Sequence, residues 1–186
     1  MTGPLTRPTT NPASGRPPRR ILVLACGEAS RGDDAAGLLA AAEIRRWIAG
    51  TAEPPGPVRG LLQALRDRVD VMTIGQLEPD DLLDVAGDDA VVVVDAVRGV
   101  EPGSIVRRPL VDLAAGGPTP RSSHMLPLQD VLGLAQTLRG SLPRGVFVGL
   151  GGSVFELGAA PSRPVLQGLV AFAAAVVEEA DRLSRE

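Results

Sequence analysis

Two adjacent carboxylates, Asp33 and Asp34, stand where the segment CGEASRGDDAAG (residues 26–37) leaves an apolar run and enters a helical pattern. A third, Asp95, sits near the end of the run AVVVVDAV (residues 90–97), and the only histidine of the chain, His124, follows Ser122 and Ser123. Carboxylates and one imidazole form a ligand set for a divalent cation with open positions. The oxygens are hard donors, and the imidazole extends the choice to zinc or nickel. Spacing alone does not choose the metal. Without the imidazole, the same acids would suit Mg²⁺ and phosphoryl chemistry of the receiver or phosphatase kind. A receiver-type site would also draw on a lysine, and all 19 basic residues here are arginine, which weighs against it.

Each of these residues also has a plain structural use. Asp33 reads as a helix N-cap, a position that Asn fills about as well, so Asp33→Asn is expected to be tolerated. Asp34 suits the positive end of a helix dipole. Asp95 would stop a strand, and His124 would cap or face solvent. Their joint placement favours a shared site, because ligands of open α/β sheets bind beyond the carboxyl ends of the parallel strands. Gly27, Gly32 and Gly37 do not fit the spacing of a dinucleotide-binding loop. Gly27 and Gly32 read as turn residues, and Gly37 as a close contact between helix and sheet. The single cysteine, Cys26, ends an apolar run and reads as a buried, unreactive thiol.

The elements that must hold these residues follow from periodicity. ILVLAC (residues 21–26), VDVMTI (69–74), AVVVVDAV (90–97) and GVFVGL (145–150) read as strands, and SIVRR (104–108) as a charged edge strand. Helices are expected over 34–48, with Ala35, Leu38, Leu39 and Ala42 on the apolar face, over 79–86, from about residue 125, and over 164–183. A short helical turn is expected over 58–67. The last two long helices are expected to bury Leu128, Val131, Leu132, Ala135 and Leu138, and Val165, Leu169, Ala173, Val176 and Ala180. Strands that alternate with helices, several of them apolar throughout, predict a three-layer α/β/α sandwich around a mostly parallel five-stranded sheet.

At 186 residues and 44% hydrophobic content, the chain fits one domain, residues 21–186, preceded by an arm. The arm, residues 1–20, holds five prolines and almost no large apolar side chains, a composition that predicts disorder. Aromatics make up only 2% of the chain, so bases have no stacking platform, and nucleic acid is not expected as a partner. No apolar run approaches the ~20 residues of a membrane span. An N-terminal signal core is also missing, so a cytoplasmic protein without a membrane partner is expected.

In the order of its motifs the chain resembles the [NiFe]-hydrogenase maturation proteases. ILVLACGEASRGDDAAG resembles the family's opening strand, glycine turn and paired acids. VVVVDAVRGVEPGSIVR resembles its central strand with Asp-Ala and Pro-Gly, SSHMLPLQDVLGLAQTL its Ser-Ser-His loop and helix, and FELG (residues 155–158) the motif after its last strand. The resemblance implies a phosphorylase/hydrolase-like α/β/α fold. It also implies an endopeptidase that removes a C-terminal extension from the hydrogenase large-subunit precursor after nickel insertion. The catalytic and metal-engaging residues it implies are Asp34, Asp95 and His124, with Gly27, Glu28 and Asp33 at the substrate. Nickel would arrive in the substrate, with no tightly bound cofactor at rest, and the protein would act as a monomer. Glu28 stands where the family usually has Asn, GLGG (149–152) replaces its common Gly-Ile-Glu-Pro, and the stretch after the first helix is longer. Glu28 is the feature that favours an alternative, a non-catalytic accessory protein that checks nickel or docks the precursor.

Overall fold

The computed structural model describes residues 19–116 and 126–186. The expected arm and the Ser122–His124 loop therefore lie largely or wholly outside the described residues. Five strands, β1 (Ile21–Ala25), β2 (Val69–Thr73), β3 (Ala90–Val97), β4 (Ile105–Pro109) and β5 (Arg144–Gly151), form one sheet in the order β2-β1-β3-β5-β4. The first four in that order are parallel, and β4 runs antiparallel to β5 at the edge. The sheet is thus mixed and mostly parallel, as the sequence predicts. Pro109 ends the edge strand, where its missing N–H costs no ladder bond.

Among the described residues, six α-helices cover the two faces: α1 (Ala36–Ile48), α2 (Gly56–Leu65), α3 (Pro79–Leu83), α4 (Leu110–Ala114), α5 (Leu128–Arg139) and α6 (Arg163–Arg185). Helices α1, α2 and α6 pack on Val23, Val92, Val94 and Val148. The other face carries α3, α4 and α5 against Leu24, Val91, Val93 and Phe147. This explains the unbroken valine run of β3, since a strand covered on both sides needs apolar residues at odd and even positions alike. Val91, Val92, Val93 and Val94 are all at most 1% exposed. Each contributes about 1.5–3 kcal/mol of burial, so the strand that carries Asp95 is among the most firmly held.

Several expectations change on inspection. The first helix opens as a 3-10 turn, Gly32–Ala35, and becomes α-helical only from Ala36. Its buried face is Ala36, Gly37, Ala40, Ala41, Ile44 and Trp47, whereas Ala42 is exposed. The face is rotated from the predicted one because close approach, not side-chain bulk, sets it. A Cβ on Gly37 would lie 2.2 Å from the Cys26 carbonyl oxygen and 2.9 Å from that of Val94, so only glycine lets α1 lean on the ends of β1 and β3. The short turn expected over 58–67 is a ten-residue helix, α2. Helix α5 begins at Leu128 and leaves Leu138 exposed, and the five-residue α4 was not anticipated.

Candidate functional site

The site lies at the carboxyl ends of β1, β3 and β5. Cys26 and Gly27 continue β1 past its last ladder residue. The Cys26 N–H donates to the Val94 carbonyl at 2.7 Å, and the Gly27 N–H to that of Gly75 at 3.0 Å. Gly27 adopts φ 138°, a left-handed conformation that favours glycine, and a Cβ there would lie 2.0 Å from the Asp34 carbonyl oxygen. This close approach folds the chain back so that Asp34 faces the loop that precedes it. One carboxylate oxygen of Asp34 accepts the Glu28 N–H at 3.0 Å, and Asp34 itself is 2% exposed.

Asp95 reaches the same rim from β3. Because side chains alternate along a strand, it shares the α5 face with Val93 and Val97 while Val94 and Ala96 take the other. Its oxygen accepts the N–H of Ala96 at 2.8 Å, and the residue is 3% exposed. Behind it is a cavity of about 10 Å³ among Cys26, Leu77, Val93, Leu128, Val131 and Phe147. That is room for a single water at most, so a substrate must approach from the rim rather than from beneath. The Cys26 thiol registers both acids. Burial pushes its pKa well above the ordinary value, and the charges of Asp95, Asp81 and Asp34 push in the same direction. The thiol is therefore protonated and inert, as the sequence reading holds.

Asp33 behaves differently from the N-cap expected of it. The residue before the 3-10 turn is Arg31, which forms no side-chain cap. The Asp33 carboxylate is fully buried and turned toward the loop after β5, where one oxygen accepts the N–H groups of Ser153 (2.7 Å) and Val154 (2.9 Å) and the other accepts that of Ser162 (2.5 Å). Its own N–H donates to the Val154 carbonyl at 2.6 Å, and those of Gly32 and Gly158 bond to Ala159 and Ser30 across the same junction. Burial pushes the carboxyl pKa up, but the three backbone donors outweigh it and hold the group below its usual range. An amide here would turn its NH₂ toward backbone N–H donors, so the expected tolerance of Asp33→Asn is corrected. Both oxygens are engaged by the loop, so the Asp33 carboxylate ties the turn that carries Asp34 to residues 153–162.

The sequence did not reveal this clamp, although FELG marks its far side. Glu28, by contrast, is exposed. It accepts bonds from the N–H and hydroxyl of Ser30, and these lower its pKa. Gly27 and Glu28 thus border Asp34 directly, the latter through its backbone. His124 lies outside the described residues. Among those described, no three His, Cys, Asp or Glu side chains gather to hold a metal ion. Asp34 and Asp95 would share an ion only with further donors. A larger groove of about 650 Å³, lined by Trp47, Thr51, Glu53 and Arg66 among others, lies at the C-terminal end of α1, remote from these carboxylates.

An open, mostly parallel α/β sheet with buried acids on its carboxyl rim defines the class. Within that class, the chain belongs to the hydrogenase maturation protease family, whose model HycI matches residues 58–177, about two-thirds of the sequence. The matched region contains Asp95 and His124 and begins after the Asp33–Asp34 turn. The fold is similar to that of the [NiFe] hydrogenase maturation protease HybD from Thermococcus kodakarensis, with 24% identity and a TM-score of 0.59 over 86% of this chain and 97% of that one. HycI from Thermococcus kodakarensis KOD1 is also similar (24% identity, TM-score 0.54, 90% and 93% coverage). So is the hydrogenase maturating endopeptidase HybD from E. coli (22%, 0.56, 84% and 88%). At these identities the likeness is one of fold. No curated protein is significantly similar in sequence.

Proposed function

We propose that the protein is the endopeptidase that removes the C-terminal extension of a [NiFe]-hydrogenase large-subunit precursor once nickel has been inserted. In this reading Asp34, Asp95 and His124 engage nickel that the substrate carries, so no resident cofactor is needed. Engagement fixes the scissile peptide over the rim, and this positioning is the main source of rate. Nickel held in that place would also polarise a nearby carbonyl or water. A water oxygen adds to the scissile carbonyl carbon, the C–N bond breaks, and the leaving nitrogen takes a proton. The protein is proposed to act in the cytoplasm, as a monomer. No described helix is long and apolar enough to cross a membrane.

The observation that carries the reading is the pair Asp34 and Asp95. They are two nearly buried carboxylates on different strand ends, both felt by Cys26, with packed apolar side chains behind one of them. Two acids sheltered from water build a negative potential that favours an arriving dication. The test is incubation of the purified protein with nickel-loaded and nickel-free precursor, read by mass spectrometry. Cleavage of the loaded form alone is expected. Binding of the loaded form without cleavage would indicate the accessory role instead, and neither binding nor cleavage would overturn the proposal.

A further inference from the structure

Resting on that reading, we propose that Arg98 is a specificity-determining residue that binds a carboxylate of the substrate polypeptide. Arg98 directly follows β3, three residues beyond Asp95, and is exposed. Its guanidinium lies over the ring of Phe155, 3.8 Å from the ring centre. Among the described residues it joins no ion pair. Acids are close in sequence and on the same rim, but Glu28 is engaged with Ser30 and the Glu156 carboxylate with the Phe155 N–H. A guanidinium stacked by one face on an aromatic ring keeps its edge of N–H donors open, and that fork matches a carboxylate.

The platform is built rather than incidental. The chain has only three Phe, one Trp and no Tyr, and one of these aromatics is placed here, 4% exposed. Gly152 makes room for it, since a Cβ at that position would lie 2.8 Å from the Phe155 ring and equally close to the Asp33 side chain. The Asp33 clamp on Ser153 and Val154 then holds the start of the same loop. The ring under Arg98 and the turn that bears Asp34 are thereby parts of one fastened unit.

The rim otherwise presents Asp34, Asp95, Glu28 and Glu101, which would repel an acidic substrate segment; Arg31 stands by Glu28, and Arg98 over Phe155 is a cation positioned to offset them. Arg98 lies over Phe155 on the α1 and α6 side of the sheet, the side opposite Asp95, so a substrate chain whose nickel-held part sits at Asp34 and Asp95 would reach it across the strand ends. An Asp or Glu side chain and the chain terminus share this chemistry, and the test below distinguishes them.

The test uses the full-length protein and the nickel-loaded precursor, with steady-state cleavage and direct binding measured in parallel. Arg98→Ala should raise KM and Kd by about tenfold or more, with a smaller change in kcat, as expected for loss of a charge-assisted bond. Arg98→Lys, which keeps charge but not the planar fork, should recover only part of this. Phe155→Leu should weaken binding less than Arg98→Ala does. Precursors with each nearby Asp or Glu changed to its amide, or with an amidated C-terminus, identify the partner. One of them should lose affinity for the wild type and lose nothing further for Arg98→Ala. Unchanged KM and Kd in Arg98→Ala, or strictly additive losses with every precursor variant, would overturn the assignment. If the wild type binds but does not cleave, the protease reading fails while the binding arm still decides Arg98.

Discussion

Asp33 and Asp34 are the same residue type, adjacent in sequence and both nearly inaccessible to solvent, yet the fold uses them in opposite directions. Asp33 faces inward and holds the 153–162 loop through three backbone donors, whereas Asp34 bonds the Glu28 N–H at the rim. Of the two, Asp33 fixes where the turn sits, and Asp34 is the group proposed to engage the substrate's nickel. The lesson is that where a carboxylate's backbone partners lie decides what it holds together, which residue type does not reveal.

The comparison is sharpened first by removing what Asp34 is proposed to share. Asp95→Asn and His124→Ala should each lower nickel-dependent cleavage by about a hundredfold or more while thermal unfolding stays nearly unchanged, because rim ligands carry little of the core. Full activity in either would dissolve the three-ligand site. Next comes the backbone that brings the acids together. Gly27→Ala forces a Cβ against the Asp34 carbonyl and strains a left-handed φ, and denaturant unfolding should show a loss of about 1–3 kcal/mol. Cleavage should fall with it as Asp34 is displaced.

The smallest effect is the acid limb of stability. The folded pKa of Asp33 lies below its ordinary value of 3.8, so its contribution is complete above that value and is lost as pH falls through the folded pKa. The unfolding midpoint of the wild type should therefore drop more steeply below about pH 4 than that of Asp33→Ala. Parallel curves would mean that the clamp does not depend on charge.

How much of this was legible depends on range. The valines of β3 announced a strand buried on both faces, and Asp95 near its end announced a rim residue, because both signals are local. The face of α1 was misread, since Ala36, Gly37 and Ala40 pack by smallness and a hydrophobic pattern rewards bulk. Helix α4, five residues long, is too short to show periodicity. The partner of Asp33 was invisible for a different reason: Ser162 lies 129 positions away, and nothing near Asp33 encodes it.

The most direct measurement pairs two variants and two readouts, Asp33→Asn and Asp34→Asn, each assayed for unfolding free energy and for cleavage of the nickel-loaded precursor. Asp33→Asn should lose about 1–3 kcal/mol of stability, because an amide leaves a buried donor unmatched, and should retain measurable cleavage at temperatures where it is folded. Asp34→Asn should unfold almost as the wild type does and fail to cleave, since an uncharged amide is a poorer ligand. The reverse result, a stable but inactive Asp33→Asn beside an active Asp34→Asn, would contradict the account.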